Sequence, residues 1–473
     1  MLNSNNLPII NSYEDLINFN NSIPALTMSY NIEQVSYTKN TIIVNGKTKG
    51  LDEFLQYYVL HPHKLTGKVS RLKQYDYTKL LCLLHPNAFY EEIQAYANNI
   101  MLMGETGFKL WDFHIEVESD NLVLAWFDNK DAEEIFIPFF ITKIAHAAFN
   151  IDPVTKTITC MGSFGENLNN LRRIVIQDGS KLKNIGDNAF LGLHTLREIN
   201  LPDSLAYIGQ WAFRRTSLEK VIIPVNVKEL KDGTFLECDK LKSIDLKNVE
   251  SIGGWAFRFC TSLKEVNLPD SLIHIGNLAF ADTGVETILF PSNLKEIGES
   301  AFYSCENLKS IAFNKKLSKI GAGAFKDCKN LKELNLPSSL RRIGQVAFSH
   351  CNSLKSIIIP DTTKTIGKGA FSYCEELHDI TIGKGIKVIA ADTFYMCKEL
   401  KEVTILGDVE RIGAHAFAHS IIEELVLPRS AKEWFLNLDL ARTIKVGDEK
   451  KYAQVARDTI APANNVLKSV KFK

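Results

Sequence analysis

The sequence repeats one short motif along most of its length. The hexapeptide Ile-Gly-x-x-Ala-Phe, or a near variant of it, recurs every 22 or 23 residues, counted from one phenylalanine to the next. These phenylalanines are Phe190, Phe213, Phe235, Phe257, Phe280, Phe302, Phe325, Phe348, Phe371, Phe394 and Phe417. An earlier segment, which ends at Phe149, fits the same frame. It is separated from Phe190 by one longer step of 41 residues, and with it the chain has about twelve modules. Self-similarity at a fixed period of this length indicates a repeat architecture.

The module Leu263–Phe280 shows what each repeat is built to do. Val266 and Leu268 alternate with polar residues, which is the period of a strand that is buried on one face. Pro269 closes that strand because it cannot donate a ladder hydrogen bond, and Gly276 supplies a tight bend. A unit of this size cannot bury its apolar face alone, so stacked neighbours must supply the core of a solenoid.

The full string Leu-x-x-Ile-x-Leu-Pro-x-x-Leu-x-x-Ile-Gly-x-x-Ala-Phe-x-x-Cys resembles the BspA-type leucine-rich repeat, also called the Treponema pallidum-type. The resemblance covers roughly residues 132–428, with departures at Leu230-Lys231, at Ile389-Ala390 and in an insertion near residues 150–170. It implies a curved stack of right-handed coils with a parallel sheet along the concave side. It also implies a binding or adhesion role, because members of the family are mostly surface or secreted interaction proteins of bacteria and protists. The family supplies no catalytic residues.

The predicted fold is therefore an α/β solenoid, a right-handed leucine-rich repeat stack of about twelve coils of 22–23 residues with a parallel sheet. We predict a small N-terminal α+β domain over residues 1–131, the BspA-like solenoid over 132–428, and a C-terminal cap helix with a polar tail over 429–473. The cap helix is expected in the sequence SAKEWFLNLDL, because a solenoid must cover its last open coil.

The N-terminal region follows no repeat and shows local signals of both helix and strand. We predict a strand at Thr41–Gly46 and a hairpin that turns at Ser119–Asn121, whose strands cap the solenoid. Helices are predicted over residues 51–60, 75–84 and 87–103, the last between an N-cap at Asn87 and a stop at Gly104.

Seven of the nine cysteines stand three residues after the repeat phenylalanine, at Cys238, Cys260, Cys305, Cys328, Cys351, Cys374 and Cys397. A metal ladder would require Cys-x-x-Cys pairs or histidine partners at ligand spacing, and the sequence has neither. The equivalent position elsewhere holds Leu193, Thr216, Thr283 or Ser420. This interchange favours a packing slot for a small, weakly polar group over stacked disulfides or a metal site.

No motif predicts catalysis. The Gly-x-Gly strings at Gly321 and Gly367 are copies of the repeat bend rather than phosphate loops. The pairs His61/His63 and His415/His419 lack companion ligands, and the chain contains no Gly-x-Ser-x-Gly, His-Glu-x-x-His or P-loop string. We therefore predict a non-enzymatic protein with no cofactor, metal or catalytic residue.

The outward strand positions of the repeat are the candidate binding residues. After the first leucine comes a basic residue, most often lysine, and then an acidic or small polar one, so that a solvated charged face and electrostatic recognition both remain open. The slot between the two buried strand residues holds Asn267 and Asn335 but also Ile222, Leu289 and Ile358. Exposed aliphatic residues there would indicate a partner surface, unless a neighbouring side chain or a terminal segment covers them.

A second candidate patch consists of Trp211, Trp255 and Leu278, which share the slot two residues after the repeat glycine. Exposed tryptophans are common interface anchors, although the coil could equally tuck them away. The predicted partner-binding set is Trp211, Trp255, Lys264, Glu265, Asn267, Leu289, Lys309, Lys332, Glu333, Asn335, Lys355 and Ile358.

Charge and hydropathy limit the class of partner. The chain has 55 Lys and Arg against 55 Asp and Glu, which argues against nucleic-acid binding through bulk positive charge. No run approaches 18 apolar residues, so we expect no transmembrane helix. The first basic residue is Lys39, so no secretory signal is recognised, which leaves open a cytoplasmic protein, a signal-independent export route or a signal trimmed from the chain.

The function predicted from these features is adhesion or interaction with a protein or glycan partner along the repeats. One alternative is a structural or assembly component that docks through the N-terminal domain. A further alternative is an enzyme whose activity resides in residues 1–131. The sequence leaves the oligomeric state open.

Overall fold

The computed structural model describes three strands between residues 35 and 50, then residues 113–118, 121–127, 131–137, 141–149, 168 and 170–422, and short stretches up to residue 446. The chain divides into two compact units, Met1–Ala189 and Phe190–Lys473. The domain limits at residues 131 and 428 stay predictions. No helix in the described ranges is long and apolar enough to span a bilayer.

The first unit contains the strand predicted at Thr41–Gly46, observed as Thr41–Val44, and two neighbouring strands that were not predicted from the sequence. Val35–Tyr37, Thr41–Val44 and Lys47–Gly50 form a three-stranded antiparallel sheet. The predicted hairpin is confirmed, because Phe113–Glu118 pairs antiparallel with Asn121–Phe127. The three helices predicted over residues 51–103 lie outside the described residues.

The hairpin stands at the start of the repeat ladder. Its strand Asn121–Phe127 pairs in parallel with Lys143–Ile144, which pairs in turn with Asn184–Ile185, and Glu134–Ile137 pairs with Arg173–Ile176. The coils that carry these strands are thus direct neighbours despite the longer step between them in sequence. The extra residues therefore form an insertion between two stacked coils, and residues 150–167 lie outside the described part of the chain.

In the second unit, most coils contribute a strand to what we call the front ladder, formed by the Leu-x-x-Ile-x-Leu segment; the coil of Leu263 contributes isolated bridges at Glu265 and Asn267, and the segment that begins at Leu331 forms no strand. Its strands are Glu198–Ile199, Lys220–Ile222, Ser243–Asp245, Thr287–Leu289, Ser310–Ala312, Ser356–Ile359, Asp379–Ile382, Glu402–Ile405, Glu424–Leu427 and Thr443–Val446. Where these strands pair, the pairing is parallel and in register, as between Ile222 and Asp245, and it forms several short sheets rather than one continuous sheet.

A second parallel ladder, which we call the side ladder, runs through the residues just before the repeat glycine. Its strands in this unit are Tyr207–Ile208, Glu229–Leu230, Ser251–Ile252, His274–Ile275, Glu296–Ile297, Lys319–Ile320, Arg342–Ile343, Thr365–Ile366, Val388–Ile389, Arg411–Ile412 and Glu433–Trp434. From Tyr207 to Ile412, the first residue of each pair points outward and the second is buried. The predicted solenoid of parallel strands is confirmed, with two ladders rather than one.

The C-terminal segment differs from its prediction. Where a cap helix is expected, Glu433–Trp434 pairs in parallel with Arg411–Ile412, and Thr443–Val446 pairs with Glu424–Leu427. The reason is that the sequence LPRSAKEW is a degenerate copy of the repeat segment Leu-Pro-x-x-Leu-x-x-Ile. In this copy Ala431 replaces the second leucine and Trp434 replaces the isoleucine. Both ladders thus continue past residue 428, and residues 435–442 lie outside the described part.

The third wall of each coil is the turn that carries the repeat phenylalanine. From Phe190 to Phe417 the rings form what we call the phenylalanine column, with successive centroids 5.0–5.6 Å apart and planes within 15° of parallel. Together with the buried Ile and Leu residues of the two ladders, this column forms the core.

The backbone of this turn has a left-handed residue two positions before and two positions after each repeat phenylalanine. Around Phe257 these are Trp255 at φ 54° and Phe259 at φ 63°. Side chains other than glycine are uncommon at positive φ. Gly276 meets a different demand, because a Cβ there would lie 2.7 Å from the backbone of Gly253 and Gly254 in the preceding coil.

Candidate interaction surface

The solvent face of the front ladder carries three parallel columns of side chains. The basic column comes first and holds Arg197, Lys242, Lys264, Lys309, Lys332, Lys355 and Lys401. The adjoining column is acidic or small polar and includes Glu265 and Glu333. The middle column lies between the two buried strand residues and holds Asn200, Ile222, Asp245, Asn267, Leu289, Ala312, Asn335, Ile358, Thr381, Thr404 and Val426.

The aliphatic residues of the middle column face solvent. Leu289 is 69% exposed, Ile358 68%, Val426 52% and Ile222 49%. No side chain in the described part of the chain covers them, so the described residues do not support the alternative of a covered slot. Asn267 and Asn335 in the same column are also exposed.

These four aliphatic residues recur at every third coil. Between Ile222 and Leu289 the column holds Asp245 and Asn267, and between Leu289 and Ile358 it holds Ala312 and Asn335. Thr381 and Thr404 separate Ile358 from Val426 in the same way. Because neighbouring strands lie about 4.8 Å apart, the aliphatic side chains are spaced by about 14 Å.

Ion pairs on this face join successive coils within the basic column. Lys242 contacts Glu219 at 2.6 Å, Lys309 contacts Glu286 at 2.6 Å, and Lys264 lies 3.9 Å from Glu286. The hydrogen bonds from Lys242 and Lys309 are the main causes that lower the pKa of Glu219 and of Glu286, respectively. The partners in these pairs are Glu219 and Glu286, which take the place of lysine in the basic column itself, and not residues of the adjoining acidic column.

Several predicted charges are exposed and available. Lys332, Glu333 and Lys355 are exposed, and within the described ranges they form no ion pair. Glu265 is likewise exposed and without an ion pair among these residues. The structure therefore brings the ten predicted residues of the front ladder onto one face, and their role in binding stays a proposal.

The tryptophans belong to a different wall of the coil. Trp211 is half-buried, and its indole covers Gly233 of the next coil so closely that a Cβ there would overlap the ring. Trp255 is 39% exposed. Trp211 is thus tucked against a glycine while Trp255 remains accessible, and neither lies on the front ladder.

The cysteine position is a buried hydrogen-bonding slot. All seven repeat cysteines are free and buried, and each Sγ donates to the carbonyl oxygen of the repeat phenylalanine in the preceding coil at 3.0–3.4 Å. At the same position, Thr216 and Ser420 donate to the phenylalanine carbonyl of their own coil. The packing interpretation is confirmed for these seven, and Cys82 and Cys160 lie outside the described residues.

The other candidate motifs are also structural. Gly323 and Gly369 occupy left-handed positions of the phenylalanine turn, as the repeat interpretation predicts. His415 lies 3.5 Å from a carboxylate oxygen of Asp392, and His419 packs edge-on against Tyr395. Across the described residues, no group of three or more His, Cys, Asp or Glu is placed to hold a metal ion. His61 and His63 lie outside this part of the chain.

Comparison with known proteins identifies the repeat. A family model described as the BspA type leucine rich repeat region matches in six copies, over residues 159–258, 243–351 and 318–435. These matches cover more than half of the chain. Among curated proteins none matches it.

Solved bacterial structures are similar over part of the chain. A leucine-rich repeat protein from Bacteroides ovatus is 26% identical, with a TM-score of 0.43, covering 68% of this chain and 90% of that chain. The T. pallidum leucine rich repeat protein is 32% identical, with a TM-score of 0.30, covering 33% of this chain and 72% of that chain. A leucine rich cell surface protein from Faecalibacterium prausnitzii is 24% identical, with a TM-score of 0.39, covering 63% and 94%.

Proposed function

The chain belongs to the BspA-type leucine-rich repeat family, and on that premise we propose that it is a non-enzymatic protein that binds a protein partner on the front ladder. The leucine-rich repeat fold supports a role in protein interaction. Adhesion and host interaction are finer predictions that follow from the family resemblance alone.

The observation that carries this proposal is the exposed aliphatic series of the middle column. Residues of this kind are ordinarily buried, and Leu289 and Ile358 are each more than two-thirds exposed. Covering one such side chain with a partner contributes about 1–2 kcal/mol, since complete burial of a Leu or Ile is worth about 1.5–3 kcal/mol. Four of them along one column offer an extended partner four separate apolar contacts.

Their spacing favours an extended peptide segment that runs across the strands. Every fourth residue of an extended strand points to the same side, and four residues span about 13.5 Å at about 3.4 Å each. This length is close to the spacing of about 14 Å between aliphatic side chains of the column. The intervening Asn267 and Asn335 present amide groups that can hydrogen-bond the backbone of such a segment.

Selection from a random peptide display library against the intact chain tests this proposal. We expect the enriched peptides to carry aliphatic residues at every fourth position. Their affinity, measured by fluorescence anisotropy, is expected to fall at least about tenfold in the double variant Leu289→Asn/Ile358→Asn, because two apolar contacts are lost.

The matched control is Ile273→Asn/Val225→Asn. Ile273 is 58% exposed and Val225 42% exposed, and both lie outside the middle column. Equal weakening by the two double variants, or enriched peptides with no aliphatic period, would contradict a binding site on the middle column.

A further inference from the structure

The outward positions of the side ladder change character along the solenoid. In each coil, two residues precede the buried isoleucine of the side ladder and lie on its outer side. The six coils from Lys295 to Arg411 therefore have twelve such outward positions, and seven of them are basic. We call these seven residues the basic stripe: Lys295, Lys319, Arg341, Arg342, Lys364, Lys387 and Arg411. All of them are exposed. Only Glu296 and Glu410 are acidic at these twelve positions.

The same positions in the four preceding coils are not basic. From Ala206 to His274 they hold one lysine, Lys228, against Glu229 and Glu250. The stripe is therefore a local concentration of positive charge in a chain whose formal net charge is zero. The net charge of the whole sequence does not reveal this local concentration, because acidic residues elsewhere balance it.

Little of this charge is neutralised at the centre of the stripe. Lys319 pairs with Glu296 at 2.8 Å, and the ammonium group of Lys387 donates to the backbone oxygen of Asp408 at 3.2 Å. Among the residues that the structure describes, Arg341, Arg342 and Lys364 form no ion pair with a carboxylate.

Strand register places these central cations side by side. Lys319, Arg342 and Thr365 are consecutive partners in the ladder, so their backbones are about 4.8 Å apart. The turns that lead into the side ladder add exposed Lys315, Lys316 and Lys384, against exposed Asp361 and Asp408. The result is a row of exposed cations along one wall of the solenoid, with the guanidinium groups of Arg341 and Arg342 at its centre.

We propose that the basic stripe binds an anionic polysaccharide through sulfate or carboxylate groups. An arginine guanidinium matches such groups with two parallel hydrogen bonds, which makes it suited to planar or tetrahedral oxyanions. A polymer with regularly spaced anions can follow cations that recur with each coil. The site is separate from the front ladder and does not rest on the peptide-binding proposal.

Two other polyanions fit the stripe less well. Single-stranded nucleic acids are held by stacking on aromatic side chains, and the twelve outward positions of the stripe coils contain none. Binding of anionic membranes by amphipathic surfaces uses exposed large apolar residues, and the one apolar residue at these positions is the half-buried Val388.

Heparin affinity chromatography and titration calorimetry with dextran sulfate, both on the intact chain, test this site. We expect saturable binding that weakens with salt. In Arg341→Glu/Arg342→Glu/Lys364→Glu the affinity is expected to fall by roughly a hundredfold, because each cation near an anionic surface contributes on the order of a fivefold factor. The matched control, Lys264→Glu/Lys332→Glu/Lys355→Glu, changes the net charge equally on the front ladder and is expected to retain binding.

Three outcomes would overturn the proposal. These are no binding to either sulfated polymer, equal loss in both triple variants, or tighter binding of a DNA fragment or of phosphatidylserine vesicles than of dextran sulfate at the same salt. Circular dichroism of each variant verifies that these exposed substitutions leave the fold intact.

Discussion

Substitution of Phe302 by alanine tests whether the phenylalanine column holds neighbouring coils together. The ring is fully buried and stacked between Phe280 at 5.1 Å and Phe325 at 5.3 Å, with planes within 9° of parallel. It also meets the edge of Phe290 at 5.6 Å. The substitution therefore removes contacts with the coils on both sides and leaves a cavity in the middle of the stack.

The expected loss follows from these contacts. Truncation of a buried phenylalanine to alanine costs about 3–5 kcal/mol, because transfer and cavity terms add. Each stacked aromatic pair contributes about 0.5–1.5 kcal/mol beyond area burial, so the two pairs account for a substantial part of the loss. Phe302→Leu keeps most of the volume but loses both pairs, and we expect it to cost about 1–3 kcal/mol.

Guanidinium unfolding followed by far-ultraviolet circular dichroism measures these free energies of unfolding. The control is Phe259→Ala, because Phe259 is 39% exposed and its ring contacts the guanidinium of Arg258 at 4.6 Å. We expect that variant to lose less than about 1 kcal/mol. A Phe302→Ala loss no larger than that of the control would show that the column is not a principal source of stability.

Two further predictions concern the thiols and the front-ladder ion pairs. Burial raises the pKa of Cys374 to about 12 and that of Cys305 to about 11. A thiol reagent at pH 8 is therefore expected to label none of the seven repeat cysteines until denaturant is added. Rapid labelling of more than two thiols in the folded chain would refute the buried slot. The pKa of Glu286 is held below its ordinary value chiefly by the hydrogen bond from Lys309, so its stabilising effect is present at neutral pH and is lost as the pH falls through the lowered value. Carboxyl NMR titration is expected to show the pKa of Glu286 rising in Lys309→Met, and an unchanged value would exclude that cause. Because Lys309 is exposed and Glu286 is only half-buried, the melting midpoint is expected to fall only slightly.

Features that repeat with the coil could be predicted from the sequence. Residues such as Phe280 and Ile275 recur at fixed positions, and this period identifies the solenoid and the phenylalanine turn. The side ladder could not be predicted, because its strands have only two residues, as in Tyr207–Ile208, and are too short to show an alternation of polar and apolar residues. The cap-helix prediction fails at the described residues because Trp434 replaces the expected isoleucine and the segment also has a helical apolar period.

Features that depend on contacts between coils could not be predicted from one module. The neutralising role of Glu219 and Glu286 needs the register that places each beside a lysine of the next coil. Likewise, Lys319, Arg342 and Thr365 are 23 residues apart in sequence, and only their ladder pairing makes a continuous surface of them. The exposed fraction of Leu289 settles whether its slot faces solvent, which periodicity alone leaves open.

The left-handed residues of the phenylalanine turn bear on how this chain can evolve. Two residues before the repeat phenylalanine, different coils hold residues as unlike as Trp255, Val346 and His415, all with φ between 46° and 57°. A non-glycine residue in this conformation costs about 1–2 kcal/mol. Here the hydrogen bonds of the ladders and the burial of the phenylalanine ring offset that cost, whichever side chain is present. Except at Gly233, where a Cβ would overlap the ring of Trp211, point mutations on this wall can therefore accumulate without altering the backbone path, so its chemistry can diversify while both ladders stay unchanged.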